Sequence, residues 1–145
     1  MRKYWIAPLI VVLMAGCASA STPSYLLSEN QEEWIQKTLI GTWNGWIKDT
    51  RNARIVNNDV TLKIYKVRKE QDGWTANALV NWQSPEYTKL NVYNGTVTLE
   101  IMDRYGGLFT LELYQNTHFL GKVGYERGAW NLNVRNDIVL KKISR

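Results

Sequence analysis

The chain has 145 residues, of which 45% are apolar, and its 18 Lys and Arg against 13 Asp and Glu give a formal charge of +5. That length supports one domain with a true core, and the composition excludes a disordered chain. A single Cys excludes an internal disulfide, so the fold must rest on packing and hydrogen bonding, and seven Trp and eight Tyr against two Phe supply mainly amphipathic rings for it.

The chain opens on two cations, Arg2 and Lys3, followed by an apolar run from Trp5 to Ala15. Such a run is too short for a permanent membrane-spanning helix, which needs about 20 residues, and it has the form of a secretory signal. Without Arg2 and Lys3, 16 basic side chains face 13 acidic ones. The remaining excess is small, no basic stripe is interleaved with aromatics, and a nucleic-acid partner is not expected. The sole cysteine stands where the apolar run ends. Met14-Ala15-Gly16-Cys17 resembles the lipobox of bacterial lipoproteins, with Met14 where Leu is usual. The resemblance implies cleavage before Cys17 and acylation of its thiol and its freed amine. Each buried methylene contributes about 0.8 kcal/mol, and more than one chain makes a stable membrane anchor. The alternative is an ordinary signal peptide followed by an incidental thiol. Ala18, rather than Asp, after the cysteine implies by the same resemblance delivery to the outer membrane of a Gram-negative-type envelope. The expected division is a signal peptide over 1–16, a lipidated tether over 17–24 and a single domain over 25–145.

Small and polar residues with Pro23 make 18–24 a flexible connection. In "SENQEEWIQKTLI", Ser28 is placed to cap a helix, with Gln31 three residues on and Glu29, Glu32 and Glu33 at the positive helix start. Ile35 and Leu39 share a face with Trp34 beside them, which predicts one short amphipathic helix. From Gly41 the period changes to alternation. Leu62 and Ile64 alternate with Thr61 and Lys63, and Trp74, Ala76, Ala78, Val80 and Trp82 fall on one face of a strand. In "KLNVYNGTVTLEIM", Asn94-Gly95 predicts a type I′ turn. Pairing across it sets Val92 against Val97, Leu90 against Leu99, and Lys89 against Glu100 as a salt pair. Asn94-Gly95-Thr96 also spells a glycosylation sequon, which the hairpin accounts for better. Further strands are predicted around Phe109, Leu111 and Leu113 after a Gly106-Gly107 turn, over Phe119 to Tyr125, around Trp130, Leu132 and Val134, and over Ile138 to Ile143. About eight antiparallel strands with short turns predict an all-β, up-and-down barrel, with a two-sheet sandwich as the alternative.

A short helix leading into Gly41-Thr42-Trp43 resembles the opening of the lipocalin and fatty-acid-binding (calycin) barrels. The resemblance implies that Trp43 closes the base of the barrel against a basic residue of the last strands, Arg127 or Arg135. Gly128-Ala129-Trp130 repeats the motif.

Catalytic and metal-binding residues are not expected, and no cofactor is. His118, the one histidine, follows Asn116-Thr117 at a strand start and reads as a turn residue. Glu32 and Glu33 are adjacent on a helix and so point apart. The aromatics carry the functional reading. Small residues between Trp74 and Trp82 leave room on an inner wall, so Trp74, Trp82 and Trp130 are candidate walls of a cavity for a small hydrophobic or glycan-like ligand. Close packing of the same side chains is the competing account. Trp46, on the opposite strand face from Trp43, is the candidate for a docking surface. Lys141, Lys142 and Arg145 read as a solvated basic tail, with anionic headgroups as a possible contact. The expected protein is a lipid-anchored, non-enzymatic envelope protein that binds a ligand or a surface; the alternative is an accessory or assembly factor docked on another outer-membrane protein.

Overall fold

The structure is a computed structural model that describes residues 26–125 and 136–144. One helix, α1 (Leu26–Leu39), precedes eight strands: β1 (Gly41–Lys48), β2 (Ile55–Glu70), β3 (Gly73–Val80), β4 (Tyr87–Tyr93), β5 (Thr96–Met102), β6 (Gly107–Tyr114), β7 (His118–Tyr125) and β8 (Asn136–Ser144). Each strand pairs antiparallel with the next, and β8 returns to β1, so the sheet closes into an up-and-down barrel rather than a sandwich. Among the described strands each therefore has a neighbour on both sides.

Alternation along the strands builds the interior. Trp43 and Ile47, then Val60, Leu62 and Ile64, then Val97, Leu99 and Ile101, then Ile138 and Leu140 are all buried and join one core cluster. On β2 the inward row passes from Ile64 to Val67 because the register with β3 shifts there, keeping both Tyr65 and Lys66 off the inner face. Such an extra residue bends the strand and strengthens its twist, which lets this 16-residue strand pair with β1 along its first half and β3 along its second.

Two glycines make the closure possible. A Cβ on Gly45 would lie 1.7 Å from the Val139 carbonyl oxygen, and one on Gly121 would lie 2.0 Å from that of Thr110. Neighbouring backbones therefore approach where no side chain fits, on β1 against β8 and on β7 against β6. The seam between β3 and β4 is the thinnest, with Trp74↔Leu90 as its single ladder pair.

The β4–β5 hairpin has the expected register, Val92↔Val97, Leu90↔Leu99 and Lys89↔Glu100. Asn94 and Gly95 have φ of 48° and 78°, the positive pair a type I′ turn requires. The expected salt pair is replaced: Glu100 Oε1 accepts a hydrogen bond from the Tyr87 hydroxyl at 2.9 Å. The helix is described from Leu26, which places Ser28 within its first turn. The predicted strand around Trp130, Leu132 and Val134 lies outside the described residues.

α1 lies across the end of the barrel where β1 begins and β8 ends. Ile35 and Leu39 are fully buried in the core, and Gln36 Nε2 donates to the Val67 carbonyl of β2 at 3.1 Å. Trp43 is fully buried against Phe119, ring centres 4.5 Å apart, and its indole N–H donates to the Leu39 carbonyl at 3.0 Å. Among the described residues the cation at Trp43 is Lys142 of β8, whose ammonium lies 5.3 Å from the ring centre. Arg127 and Arg135 lie outside the described residues. At the opposite end, turns are held by carboxylates. Asp103 Oδ1 accepts from the backbone N–H groups of Tyr105 and Gly107, and Asp49 Oδ1 accepts from that of Arg51. These are side chains standing in for backbone turn partners.

Candidate functional site

The candidate ligand-facing residues do not come together. β3 ends at Val80, and Trp82 follows in the β3–β4 connection with φ of 66° and 64% exposure. A strand face cannot be extended through a left-handed residue, so the period-two pattern breaks between Val80 and Trp82. The Asn81 side chain makes the break: its Oδ1 accepts from the Thr61 N–H at 3.0 Å, while its own backbone N–H donates to the Thr61 carbonyl. Trp82 stands outside the barrel, 5.8 Å from the Lys63 ammonium. Trp74 is half-buried at the helix-bearing end and packs on the core cluster. Trp130 and Cys17, the expected site of acylation, lie outside the described residues.

Among the described residues the inner wall is filled. A void able to admit a ligand would leave accessible surface on the side chains around it. Ala76 and Ala78, the residues that left room in the sequence pattern, are only 7% and 4% exposed, and the rest of the core cluster is lower still or similar. An eight-stranded interior can be filled by side chains or can hold one small ligand, and here the described inward side chains are packed closely. One inward polar group stands out. Asn136, at the start of β8, is fully buried, and neither its Oδ1 nor its Nδ2 has a hydrogen-bond partner.

Trp46 is half-buried on the outer wall, and the strand order gives it company. Register places it beside Val139 on β8, Val139 beside Leu120 on β7, and Leu120 beside Glu112 on β6. The next row is charged, Lys48 beside Asp137 and Asp137 beside Lys122, with an ion pair joining Lys122 to Asp137. Together with Tyr114 these side chains line an open groove of about 510 Å³ on the barrel wall. An apolar strip with a charged border is the composition of a recognition surface: the strip contributes burial and the border fixes orientation. Tyr114 and Leu120 are exposed at 51% and 36%, more than packing within this chain requires.

Sequence reasoning found Trp46 but missed Val139, Leu120 and Tyr114. The parity of "HFLGKV" does set Leu120 opposite buried Phe119, so an outward apolar residue was detectable there. Its place in one row with Trp46 was not, since 74 positions of chain separate 46 from 120 and only barrel closure joins β1 to β8.

Two further concavities flank the barrel. One, of about 510 Å³, lies between α1, the β6–β7 turn and the end of β8, and one of about 250 Å³ lies between the β3–β4 and β5–β6 connections. His118 is half-buried on the first strand position after the β6–β7 turn, its Nδ1 2.9 Å from the Thr117 hydroxyl. Among the described residues no group of three or more His, Cys, Asp or Glu side chains is placed to hold a metal ion, and no helix is long and apolar enough to cross a membrane. Comparison of the chain with protein-family models, with curated proteins and with solved structures finds no match.

Proposed function

We propose that this protein is a lipid-anchored, non-catalytic component of a bacterial outer membrane that docks on another envelope protein through the outer wall of its barrel. The observation that carries the docking is the row Trp46, Val139 and Leu120, an outward apolar strip on three strands beside a core whose described side chains are closely buried. The anchor rests on the Met14-Ala15-Gly16-Cys17 lipobox. A hydrophobic or glycan-like ligand inside the barrel is the weaker reading, because the inward side chains already occupy that space.

The test uses a photoactivatable residue at Val139 or, as a control on the far side of the barrel, at Asn77, in the intact envelope of the native host. One discrete protein adduct at 139, absent at 77 and lost on Trp46→Ala with the fold unchanged, is the expected result. Equal adducts at both positions, or none at 139, rule the docking wall out. Palmitate labelling of the Cys17→Ser variant tests the anchor separately: label and membrane retention should both disappear.

A further inference from the structure

We infer that the helix-bearing end of the barrel lies against a bilayer surface containing anionic lipid, with Trp34 and Ile143 in the headgroup layer. The inference rests on the anchored reading above and adds which end of the barrel meets the membrane.

Three observations converge on this end. First, Trp34 of α1 and Ile143 of β8 come from opposite ends of the domain sequence yet line one groove of about 510 Å³, left 38% and 59% exposed. Two large apolar side chains from different elements are thereby held open on a single surface. Trp is the side chain best suited to the headgroup depth, with an apolar body and one N–H donor. Second, the groove also carries Lys37, Lys142, Asn116 and Thr117, with no carboxylate among its lining residues, and Lys141 stands next to it on β8. Lysines beside exposed apolar groups match an anionic headgroup layer, whose attraction fades within a Debye length. Both ends are mixed in sign as a whole, with Glu32, Glu33, Glu70 and Asp72 at this one, but the charged residues lining the groove itself are lysines alone, whereas at the opposite end Asp49 and Asp103 stand directly beside Arg51 and Arg104.

Third, the chain itself limits the distance. Nine peptide steps separate Cys17 from Leu26, the first described helical residue, a reach of at most about 30 Å when fully extended. α1 then carries the chain to the barrel, and its C-terminal carbonyls of Lys37 and Thr38 accept hydrogen bonds from the Lys142 ammonium, fixing helix and barrel end together. An acyl chain at Cys17 therefore brings this end to the lipid first. With the barrel so placed, the Trp46 row on the wall faces along the membrane plane, where a neighbouring envelope protein is within reach.

The test uses the acylated full-length mature protein in vesicles of phosphatidylethanolamine and phosphatidylglycerol. Acylation blocks the only native thiol, so Ile143→Cys, Thr117→Cys and Tyr105→Cys can each be labelled singly with a nitroxide. Labels at 143 and 117 should collide with lipid-soluble oxygen several-fold more, and with a water-soluble nickel chelate several-fold less, than the label at 105 on the opposite end. Replacing phosphatidylglycerol with phosphatidylcholine should weaken that shielding. Labels at 143 and 117 as open to the chelate as that at 105, or equally shielded in phosphatidylcholine, overturn the inference. Failure of the anchor itself reads out differently, as a titratable Cys17 thiol and a missing acyl mass.

Discussion

The Lys142 ammonium sits 5.3 Å from the centre of the Trp43 ring and donates to the Thr38 carbonyl at 2.6 Å and the Lys37 carbonyl at 3.2 Å. One cation thus closes the barrel base and satisfies the carbonyls that the end of α1 leaves without intrahelical partners. Lys142→Met keeps the apolar stem and removes the charge. It should lower stability by about 1–3 kcal/mol, the usual range for hydrogen bonds to charged groups, and Lys142→Arg should recover part of it. Urea midpoints of the three proteins decide this. An unchanged midpoint for Lys142→Met would remove the cap from the account.

Gly45 and Gly95 are both required, for different reasons. A Cβ on Gly95 meets nothing within 4 Å, so Gly95→Val costs only the positive φ of 78°, about 1–3 kcal/mol. A Cβ on Gly45 would overlap the Val139 carbonyl, and Gly45→Ala must part β1 from β8. The second variant should therefore be the worse, losing cooperative unfolding where Gly95→Val keeps it. Circular dichroism melts of both separate the two mechanisms.

Trp82 and Trp43 should differ sharply. Trp43 is fully buried, and Trp43→Ala should cost about 3–5 kcal/mol. Trp82 is exposed with one cation over its ring, and Trp82→Ala should cost about 1 kcal/mol or less. A large loss at Trp82 would put it back in the core.

Asn136 is buried with both side-chain polar atoms unpaired, a state that costs about 1–3 kcal/mol relative to a matched apolar group. Asn136→Leu, of nearly the same shape, should raise the urea midpoint. A lowered midpoint would mean that the amide holds an ordered water or a bound polar group.

Asp49 titrates below its ordinary carboxylate value because the Arg51 guanidinium hydrogen-bonds its oxygens, aided by the Arg51 backbone N–H. A folded-state pKa below the unfolded one contributes stability above the unfolded value, and that contribution is lost as pH falls through the folded one. The β1–β2 connection should therefore loosen only in strong acid, and Arg51→Ala should move the loosening to higher pH. Carboxyl carbon shifts of Asp49 followed by NMR titration would show it.

The barrel was legible in the sequence because its signals are local. Asn94-Gly95 demands its turn, the alternation in "TVTLEIM" declares its inner face, and Ile35 and Leu39 mark the buried side of α1. Each depends on backbone sterics or on side-chain period within a few residues. The breaks were not legible. Trp82 continues the apolar parity of β3 on paper, but Asn81 turns the chain by pairing with Thr61, twenty residues earlier. Lys142 as the partner of Trp43, and Val139 and Leu120 as neighbours of Trp46, exist only once β8 closes onto β1. Residues 43 and 142 carry no mark of one another along the chain, because closure is set by the summed twist and bulges of eight strands rather than by any one of them. The sequence by itself determined most of the strands, the hairpin and a lone cysteine behind an apolar run; the tertiary structure decided which aromatics are buried, which are surface, and which strip of surface is continuous.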